Sequence, residues 1–347
     1  AVVSRYNLSY QEKAYLVKCV LCSKLWYLAR IAHPPVRIVT RVNTLIFNFF
    51  WGPKKHSLPR TVLRWSREDG GWSLPCVDTY CSLFALRNVL RILEQTASPA
   101  RLLVLYWLGT SRRVLVPRGL GNLYPSAENI PGFYKKVVRD FLSWKERLPD
   151  IDFTQPSVSK LCEAICRADT VAAVPERSTR VLNVVPSGPL PQEISNFRWE
   201  ASWNILPTKD RLFRWGVTPN SCCPNCGSAE TNSHVLFQCV VAKTLWSLVS
   251  RRFSLPVTSR SRNRDKFTAL VALLTMHTLW KFRNRAVAQN RRYALMFPML
   301  STVTRELIQF LEHRLFVLGE QEFLRQWSHR FISTHHGYVT LRAVFYL

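Results

Sequence analysis

Four cysteines and one histidine lie within the eighteen residues CCPNCGSAETNSHVLFQC, at 222–239. Zinc prefers a tetrahedral set of thiolates and imidazoles. Two cysteines separated by two residues can hold it from one tight turn while a second pair arrives from the next element. One set of residues has that spacing, in the order Cys-x2-Cys-x7-His-x4-Cys. It consists of Cys223, Cys226, His234 and Cys239. We therefore predict a zinc site at these four residues.

Two alternatives to this ligand set stay open from the residues alone. Buried free cysteines are common in apolar proteins, although four ligands at metal spacing in one short segment favour the metal. Cys222 could also replace Cys223, with a gap of three residues; we prefer Cys223, which leaves Cys222 as a free thiol. Either set fills all four positions around the ion and leaves none for water. The predicted zinc is therefore structural rather than catalytic.

The elements around the site would position the two pairs of ligands differently. Pro224 and Gly227 favour a knuckle turn for the first pair. The second pair is predicted at the start of a helix that continues to Trp246. The other cysteine pairs lack metal-ligand partners nearby, and we predict that they belong to the core. These pairs are Cys19 and Cys22, Cys76 and Cys81, and Cys162 and Cys166.

The rest of the chain has mainly helical patterns. Ser9 and Glu12 fit a capping box, and apolar residues then recur at helical spacing until Pro34 and Pro35. A second helix follows. The residues predicted to face inward are Val17, Leu21, Leu25 and Leu28 on the first helix and Ile38, Val42, Leu45 and Phe49 on the second. Further helices are predicted at 78–95, 133–146, 267–294 and 302–316.

The charge of the chain is strongly positive and unevenly distributed. It has 48 Lys and Arg against 22 Asp and Glu, a formal net charge of +26. Residues 1–65 carry 11 basic residues and one acid, and residues 251–292 carry the same numbers, so each block has a net charge of +10. This excess of positive charge predicts a polyanionic partner. Nucleic acid is the first candidate, and an anionic membrane surface is the second. The apolar runs are too short, or too interrupted by lysine, to predict a transmembrane helix.

Ten basic residues in these two blocks are the candidates for contact with nucleic-acid phosphates. The alternative for any one cluster is a solvated helix face. The candidates are Lys13, Lys18, Lys24, Arg37 and Arg41 in the first block and Arg251, Arg252, Arg260, Arg262 and Arg264 in the second. Trp26, Trp51 and Trp65 have apolar neighbours and are predicted to be core residues rather than platforms for base stacking.

Several segments together resemble the reverse transcriptases of non-LTR (LINE-type) retrotransposons. ILPTKDRLFRWGV at 205–217, followed by CPNCGSAETNSHVLFQC and Trp246, resembles the zinc-binding domain downstream of the polymerase in that family. LWYLARIAHPP, FNFFWG and GGWSLP are similar to its thumb and connection region. LWKFRNRAV at 279–287 is similar to the Trp-x-x-Arg-Asn stretch after the zinc domain. The segments occur in the order of the family.

This resemblance, with the patterns above, predicts a mainly α fold with a helical thumb/connection-like region, a small zinc-knuckle domain and C-terminal helices. Pro-rich residues near 172–193 predict a linker. The predicted regions are 1–95, thumb/connection-like, helical and basic; 96–194, helical and ending in the linker; 195–250, the reverse-transcriptase-type zinc-binding domain; and 251–347, a basic loop and C-terminal helices. Loss of one ligand, as in Cys226→Ser, is expected to unfold 195–250.

The resemblance implies binding of template RNA and target DNA for target-primed reverse transcription. A polymerase palm, however, needs a pair of adjacent aspartates for its magnesium ions, and the sequence contains none. The first methionine is Met276, and the chain starts at Ala1. We therefore expect a non-catalytic C-terminal portion of an RNA-directed DNA polymerase, whose endonuclease and palm regions would be further partners.

A second function is open from the sequence. The chain could be a domesticated or relic fragment whose zinc unit binds another protein, with its charge serving only localisation. No signal-peptide pattern opens the chain, so the ten cysteines are expected to be reduced in an intracellular compartment, nucleus or cytoplasm. The two functions differ in salt dependence, since binding to phosphates weakens steeply as salt rises.

Overall fold

The chain forms two compact units, Ala1–Val174 and Pro175–Leu347, and each is described by itself. A computed structural model describes residues 8–52, 58–116, 127–153, 157–168, 190–255, 266–289, 292, 296–327, 329, 331–335 and 338–341. The prediction of a mainly α fold is confirmed, because both units are built from helices and the described part has a single two-stranded sheet. The finer division into four regions stays a prediction.

The first unit is a set of helices around a central one, α5. Its helices are α1 (Tyr10–Leu16), α2 (Ser23–Leu28), α3 (Val36–Trp51), α4 (Arg60–Arg64), α5 (Val77–Glu94), α6 (Pro99–Leu108), α7 (Arg112–Leu115), α8 (Gly132–Arg147) and α9 (Val158–Ala168). Helix α5 packs against α2, α3, α6, α8 and α9. Its side chains Leu83, Ala85 and Leu86 are fully buried. The helices predicted at 78–95 and 133–146 correspond to α5 and α8.

The predicted capping box begins α1. The Ser9 hydroxyl accepts a hydrogen bond from the Glu12 backbone N–H at 3.1 Å, and the Glu12 carboxylate accepts one from the Ser9 backbone N–H at 2.7 Å. These contacts satisfy two backbone donors that a helix start otherwise leaves open. The helix then widens into a π-helical turn, Val17–Leu21, before α2.

The inward faces predicted for the first two helical segments are partly wrong. Leu21 and Leu28 are 50% and 55% exposed, and Ile38 and Leu45 are 45% and 58% exposed. The π-helical turn shifts the phase of the first segment, so Val17 is buried and Leu21 is not. On α3 the apolar residues form two faces. The face that packs inward is Val39, Ile46, Phe47, Phe50 and Trp51.

The GGWSLP segment runs back along α4 and needs its glycine. Gly71 donates its N–H to the Ser66 carbonyl at 2.8 Å, and Leu74 donates to the Leu63 carbonyl at 3.0 Å. A Cβ at Gly71 would collide with the carbonyl oxygens of Trp65 and Val62. The close approach of the two backbone segments therefore excludes any side chain at this position.

The second unit packs around α13. Its elements are α10 (Gln192–Ser202), α11 (Lys209–Arg214), a π-helical turn (His234–Gln238), α12 (Val240–Phe253), α13 (Lys266–Ala288), α14 (Met296–Leu318), α15 (Glu320–Trp327), β1 (Ile332–His335) and β2 (Tyr338–Leu341). Helix α13 is buried on all sides from Phe267 to Trp280, since α10, α12, α14 and the π-helical turn surround it. This burial explains why its sequence is apolar around the whole helix.

The rest of this unit extends the same core. Strands β1 and β2 pair antiparallel, with Ile332 opposite Leu341, and β2 lies against α14. The helices predicted at 267–294 and 302–316 correspond to α13 and α14.

Most of the predicted linker at 172–193 lies outside the described residues. Across the helices that could be assessed, none combines the length and apolar character that crossing a bilayer requires.

Candidate metal centre

The first two candidate ligands lie on a tight turn inside a small hairpin. The Cys223 N–H donates to the Ser228 carbonyl at 2.8 Å, and the Gly227 N–H donates back to the Cys223 carbonyl at 2.9 Å. Gly227 has a φ of +75°, a left-handed conformation that glycine adopts at little cost. Cys222 and Ala229 form an antiparallel bridge beside the turn. The predicted knuckle turn is therefore present around Cys223 and Cys226.

The other two ligands lie on consecutive elements rather than on one helix. His234 begins the π-helical turn, where its backbone N–H donates to the Thr231 hydroxyl at 3.1 Å. Cys239 follows that turn as the N-cap residue of α12. The extended backbone of Cys239, with ψ of 145°, separates the turn from the helix. The prediction of one continuous helix from His234 to Trp246 is therefore wrong at this residue.

These elements bring four ligand atoms together. The three Sγ atoms and one ring nitrogen of Cys223, Cys226, His234 and Cys239 all lie within 4.8 Å of one another. The Sγ atoms of Cys223 and Cys239 are 3.8 Å apart, and the Cys226 Sγ is 3.2 Å from His234 Nε2. A tetrahedral zinc ion with Zn–S bonds of about 2.3 Å separates its sulfurs by about 3.8 Å. The donor set and its spacing fit zinc.

Three of the four candidate ligands are buried. Cys223, His234 and Cys239 are buried, and Cys226 is exposed. A hydrogen bond between the Cys223 and Cys239 sulfurs raises the pKa of Cys223 and lowers that of Cys239, and burial adds to the rise at Cys223. A bound cation would displace the remaining thiol protons. Cys222 is exposed and lies outside the cluster.

A buried ion pair fixes the hairpin to α13. The Glu230 carboxylate accepts hydrogen bonds from the Arg283 guanidinium, with Nε at 3.1 Å, and from the Lys209 backbone N–H at 2.9 Å. The side chains of Glu230 and Arg283 are 0% and 3% exposed. Arg283 also donates to the Pro207 carbonyl and lies over the Trp280 ring. This pair therefore ties the hairpin, the start of α11 and α13 together.

Sequence reasoning assigned no role to Glu230 or Arg283. Both residues stand in segments that carry the resemblance, Glu-Thr at 230–231 and Trp-x-x-Arg-Asn at 280–284. The available signal was an arginine at the end of a long apolar helix and a glutamate between two ligand pairs. Their pairing across 53 residues could not be read from either segment alone.

The candidate centre belongs to the core of the second unit. Cys223, Cys239, Val235 and Leu236 share one hydrophobic cluster with side chains of α10, α12, α13 and α14. Trp246 supports the π-helical turn by donating its Nε1–H to the Leu236 carbonyl at 2.8 Å. Its ring also stacks on Phe237, with centroids 6.0 Å apart. The ligands are thus positioned by a core much larger than the hairpin.

The candidate phosphate-binding residues of the first unit fall into two groups. Lys24, Arg37 and Arg41 are exposed, and the two arginines lie one turn apart on α3. Lys13 and Lys18 are half-buried instead. Lys13 donates to the Phe50 carbonyl at 3.1 Å, and burial lowers the pKa of Lys18. The exposed group is therefore the more accessible to a polyanion.

The second block is described only in part. Arg251 is exposed and Arg252 is half-buried in the last turn of α12. Arg260, Arg262 and Arg264 lie outside the described residues. Three tryptophans were predicted to be core residues. Trp26 and Trp51 are buried, and Trp65 is half-buried.

A model of a known protein family matches the part of the chain that forms the candidate metal centre. Residues 173–246 match the family model described as zinc-binding in reverse transcriptase. No curated protein matches the chain. The matched residues include all four ligands, Glu230 and Trp246. The segment that forms the candidate metal centre is therefore similar to the zinc-binding region associated with reverse transcriptases.

Proposed function

We propose that this chain is a non-catalytic, nucleic-acid-binding portion of a non-LTR retrotransposon reverse transcriptase, C-terminal to the polymerase palm. In this proposal the chain binds template RNA and target DNA, and other regions carry out polymerisation and target cleavage. The observation that carries it is the Cys3His cluster inside the segment that matches the reverse-transcriptase zinc-binding family. The absence of adjacent aspartates from the sequence supports a non-catalytic role.

Zinc would have a structural task here. Cys223, Cys226, His234 and Cys239 would hold it, and bound zinc would supply four bonds that fix the hairpin against the π-helical turn and α12. Because the site is closed, it offers no position for a reacting water. Phosphates would then bind to exposed basic residues of each unit, Lys24, Arg37 and Arg41 in the first and Arg251 in the second.

The charge of the chain supports phosphate as the binding partner. A formal net charge of +26 repels itself unless a polyanion neutralises it. Arg37 and Arg41 are exposed on one face of α3, one turn apart. Arginine suits this role because its guanidinium stays charged and donates in a fork that matches phosphate oxygens.

The test is the salt dependence of binding to a short single-stranded RNA and to a matched DNA duplex. We expect the logarithm of affinity to fall linearly with the logarithm of salt concentration, with a slope equivalent to about five or more released ions. An Arg37→Gln, Arg41→Gln double variant should lower that slope by about two. Weak binding with a shallow slope would contradict the proposal.

One observation favours the alternative, a protein-interaction module. The first unit exposes several large apolar side chains close together in sequence, among them Leu28, Ile31, Val36 and Leu45, which are 55–80% exposed. Exposed apolar patches mark protein-binding surfaces in many proteins. Binding of this kind should survive high salt and ignore nucleic-acid competitors, so the same titration separates the two functions.

A further inference from the structure

The first unit contains a cavity of about 260 Å³ that three arginines line. Arg87 and Arg91 come from α5, and Arg30 comes from the turn after α2. Phe84 and Phe153 are also in its wall. None of these residues was singled out by sequence analysis. Their convergence depends on the packing of α2 against α5.

The walls of this cavity are fixed by neighbouring contacts. The Arg30 carbonyl accepts a hydrogen bond from the Asn88 side chain at 3.1 Å, which anchors the turn to α5. The Arg30 guanidinium lies 6.0 Å from the centre of the Phe84 ring. Phe153 is buried and stacks on Trp144, with centroids 6.1 Å apart. Arg87 and Arg91 are separated by one helical turn and lie on one face of α5.

The charge around the cavity favours an anion. Its lining has three guanidinium groups and one carboxylate, that of Glu94. Among the residues that the structure describes, no carboxylate forms an ion pair with Arg30 or Arg91. The guanidinium groups of Arg30 and Arg91 therefore have N–H donors available at this site. A phosphate group would relieve the repulsion and match the planar geometry of guanidinium groups.

The net charge of the chain, +26, favours part of a polyanionic polymer over a free small anion. The volume of the cavity, about 260 Å³, lies near the lower end of the range for pockets that enclose whole small ligands, about 300–1,000 Å³. Its wall is partly aromatic and apolar, with Phe84 and Leu90 beside the arginines. An aromatic ring beside a guanidinium is the combination that binds a base and its phosphate in single-stranded nucleic acid.

We propose that this cavity holds one phosphodiester group, with its nucleoside, of a single-stranded polynucleotide. Arg30 and Arg91 bind the phosphate, Arg87 adds positive charge beside it, and Phe84 contacts the base. The inference rests on the proposed nucleic-acid-binding function and gives that function a specific site, separate from the exposed arginines of α3.

The experiment compares two double variants of the full chain that remove the same charge. Arg30→Gln with Arg91→Gln removes two arginines of the cavity. Lys135→Gln with Lys160→Gln removes two exposed lysines of the same unit that do not line it. Binding to a fluorescein-labelled polyuridine strand is measured by anisotropy over a range of salt concentrations. Melting temperatures establish that each variant is folded.

We expect the arginine variant to bind roughly tenfold or more weakly than the lysine variant, because its charged hydrogen bonds disappear along with the charge. Its salt slope should fall by no more than about one in total, because the cavity holds a single phosphate. A single Arg91→Lys variant, which keeps the charge but not the fork, should show a smaller but measurable loss of affinity. Adenosine triphosphate at matched ionic strength should not displace the strand.

The outcomes separate this inference from the proposed function. If the wild-type chain binds with a steep salt slope and the affinity of the two double variants falls equally, the cavity is not the site, while the proposed function stands. If the wild-type chain does not bind, both are overturned. If adenosine triphosphate displaces the strand at matched ionic strength, the assignment to a polynucleotide is wrong and the cavity takes a free nucleotide.

Discussion

Glu230 and Arg283 are buried charges that depend on each other. Taking either ion out of water costs several kcal/mol, and the pair offsets this cost only while both partners are present. Glu230 Oε1 accepts the hydrogen bonds from Arg283 and from the Lys209 N–H. At this position, as at the four ligands, the side chain couples the hairpin to the core of the second unit.

We expect Glu230→Gln to destabilise the second unit by about 3–5 kcal/mol, because it leaves the Arg283 guanidinium buried without a counter-charge. Urea unfolding followed by tryptophan fluorescence measures this loss. The matched control is Glu322→Gln, which removes the carboxylate of an exposed pair with Arg325. Exposed pairs contribute little, so this control should leave the unfolding midpoint nearly unchanged. Equal midpoints for the two variants would contradict the coupling role of Glu230.

The capping box of α1 gives a second prediction for a single side chain. Ser9→Ala removes the acceptor for the Glu12 N–H and should lower the stability of the first unit by about 1 kcal/mol. Ser98 is the matched control, since it is the N-cap residue of α6 but makes no capping hydrogen bond through its side chain. Thermal unfolding of both variants measures the difference. A Ser98→Ala variant as destabilised as Ser9→Ala would show that the capping bond is not the cause.

At the scale of elements, the connection between α4 and α5 depends on one backbone contact. Gly71→Ala should destabilise the first unit by about 1–3 kcal/mol or more, because the new Cβ would lie 2.6 Å from the Val62 carbonyl oxygen and closer still to that of Trp65. Gly132→Ala is the control, since a Cβ there meets no atom within 4 Å. Chemical unfolding measures the free energy of unfolding of both variants. A Gly71→Ala variant as stable as Gly132→Ala would mean that the two backbone segments can move apart without a loss of stability.

Local sequence signals predicted the positions of the helices better than the faces that the helices bury. The capping box and the proline pair marked helix boundaries because these residues act on the nearest turn of backbone. The buried face of α3 was predicted wrongly because the helix has a second apolar face, with Ile38 and Leu45 exposed and Ile46 and Phe47 buried. Helix α13 is apolar around its whole circumference, so no pattern on it could indicate its neighbours.

The cluster of three cysteines and one histidine was predictable for the same local reason. Cys223 and Cys226 share one turn, and His234 and Cys239 follow within one short segment, so spacing alone restricts the ligand set. The Glu230–Arg283 pair and the arginine-lined cavity were not predictable, because each joins residues from separate elements. Local sequence carries no information on which of the 48 basic residues converge.

At the scale of the molecule, the two units should respond differently to loss of metal. The ligands Cys223 and Cys239 belong to the same hydrophobic cluster as α13, α14 and β2. Structural zinc contributes roughly 10–16 kcal/mol to folding in small zinc domains, comparable to the net stability of a whole domain, about 5–15 kcal/mol. Removal of the metal should therefore unfold more than the predicted 195–250 segment.

We expect Cys226→Ser, or a chelator added to the wild-type chain, to abolish hydrogen-exchange protection throughout the described residues of 190–341 and to leave that of 8–168 unchanged. Cys222→Ser is the matched control, because Cys222 is exposed and outside the cluster. It should keep one bound metal per chain and the visible absorption of a cobalt-substituted tetrahedral thiolate site. If the wild-type chain kept full protection after the chelator had removed its metal, the metal would contribute nothing to the fold. If protection disappeared only in 195–250, the centre would be a separately folding domain within the larger unit, and the shared core would be too weak to couple the hairpin to α13.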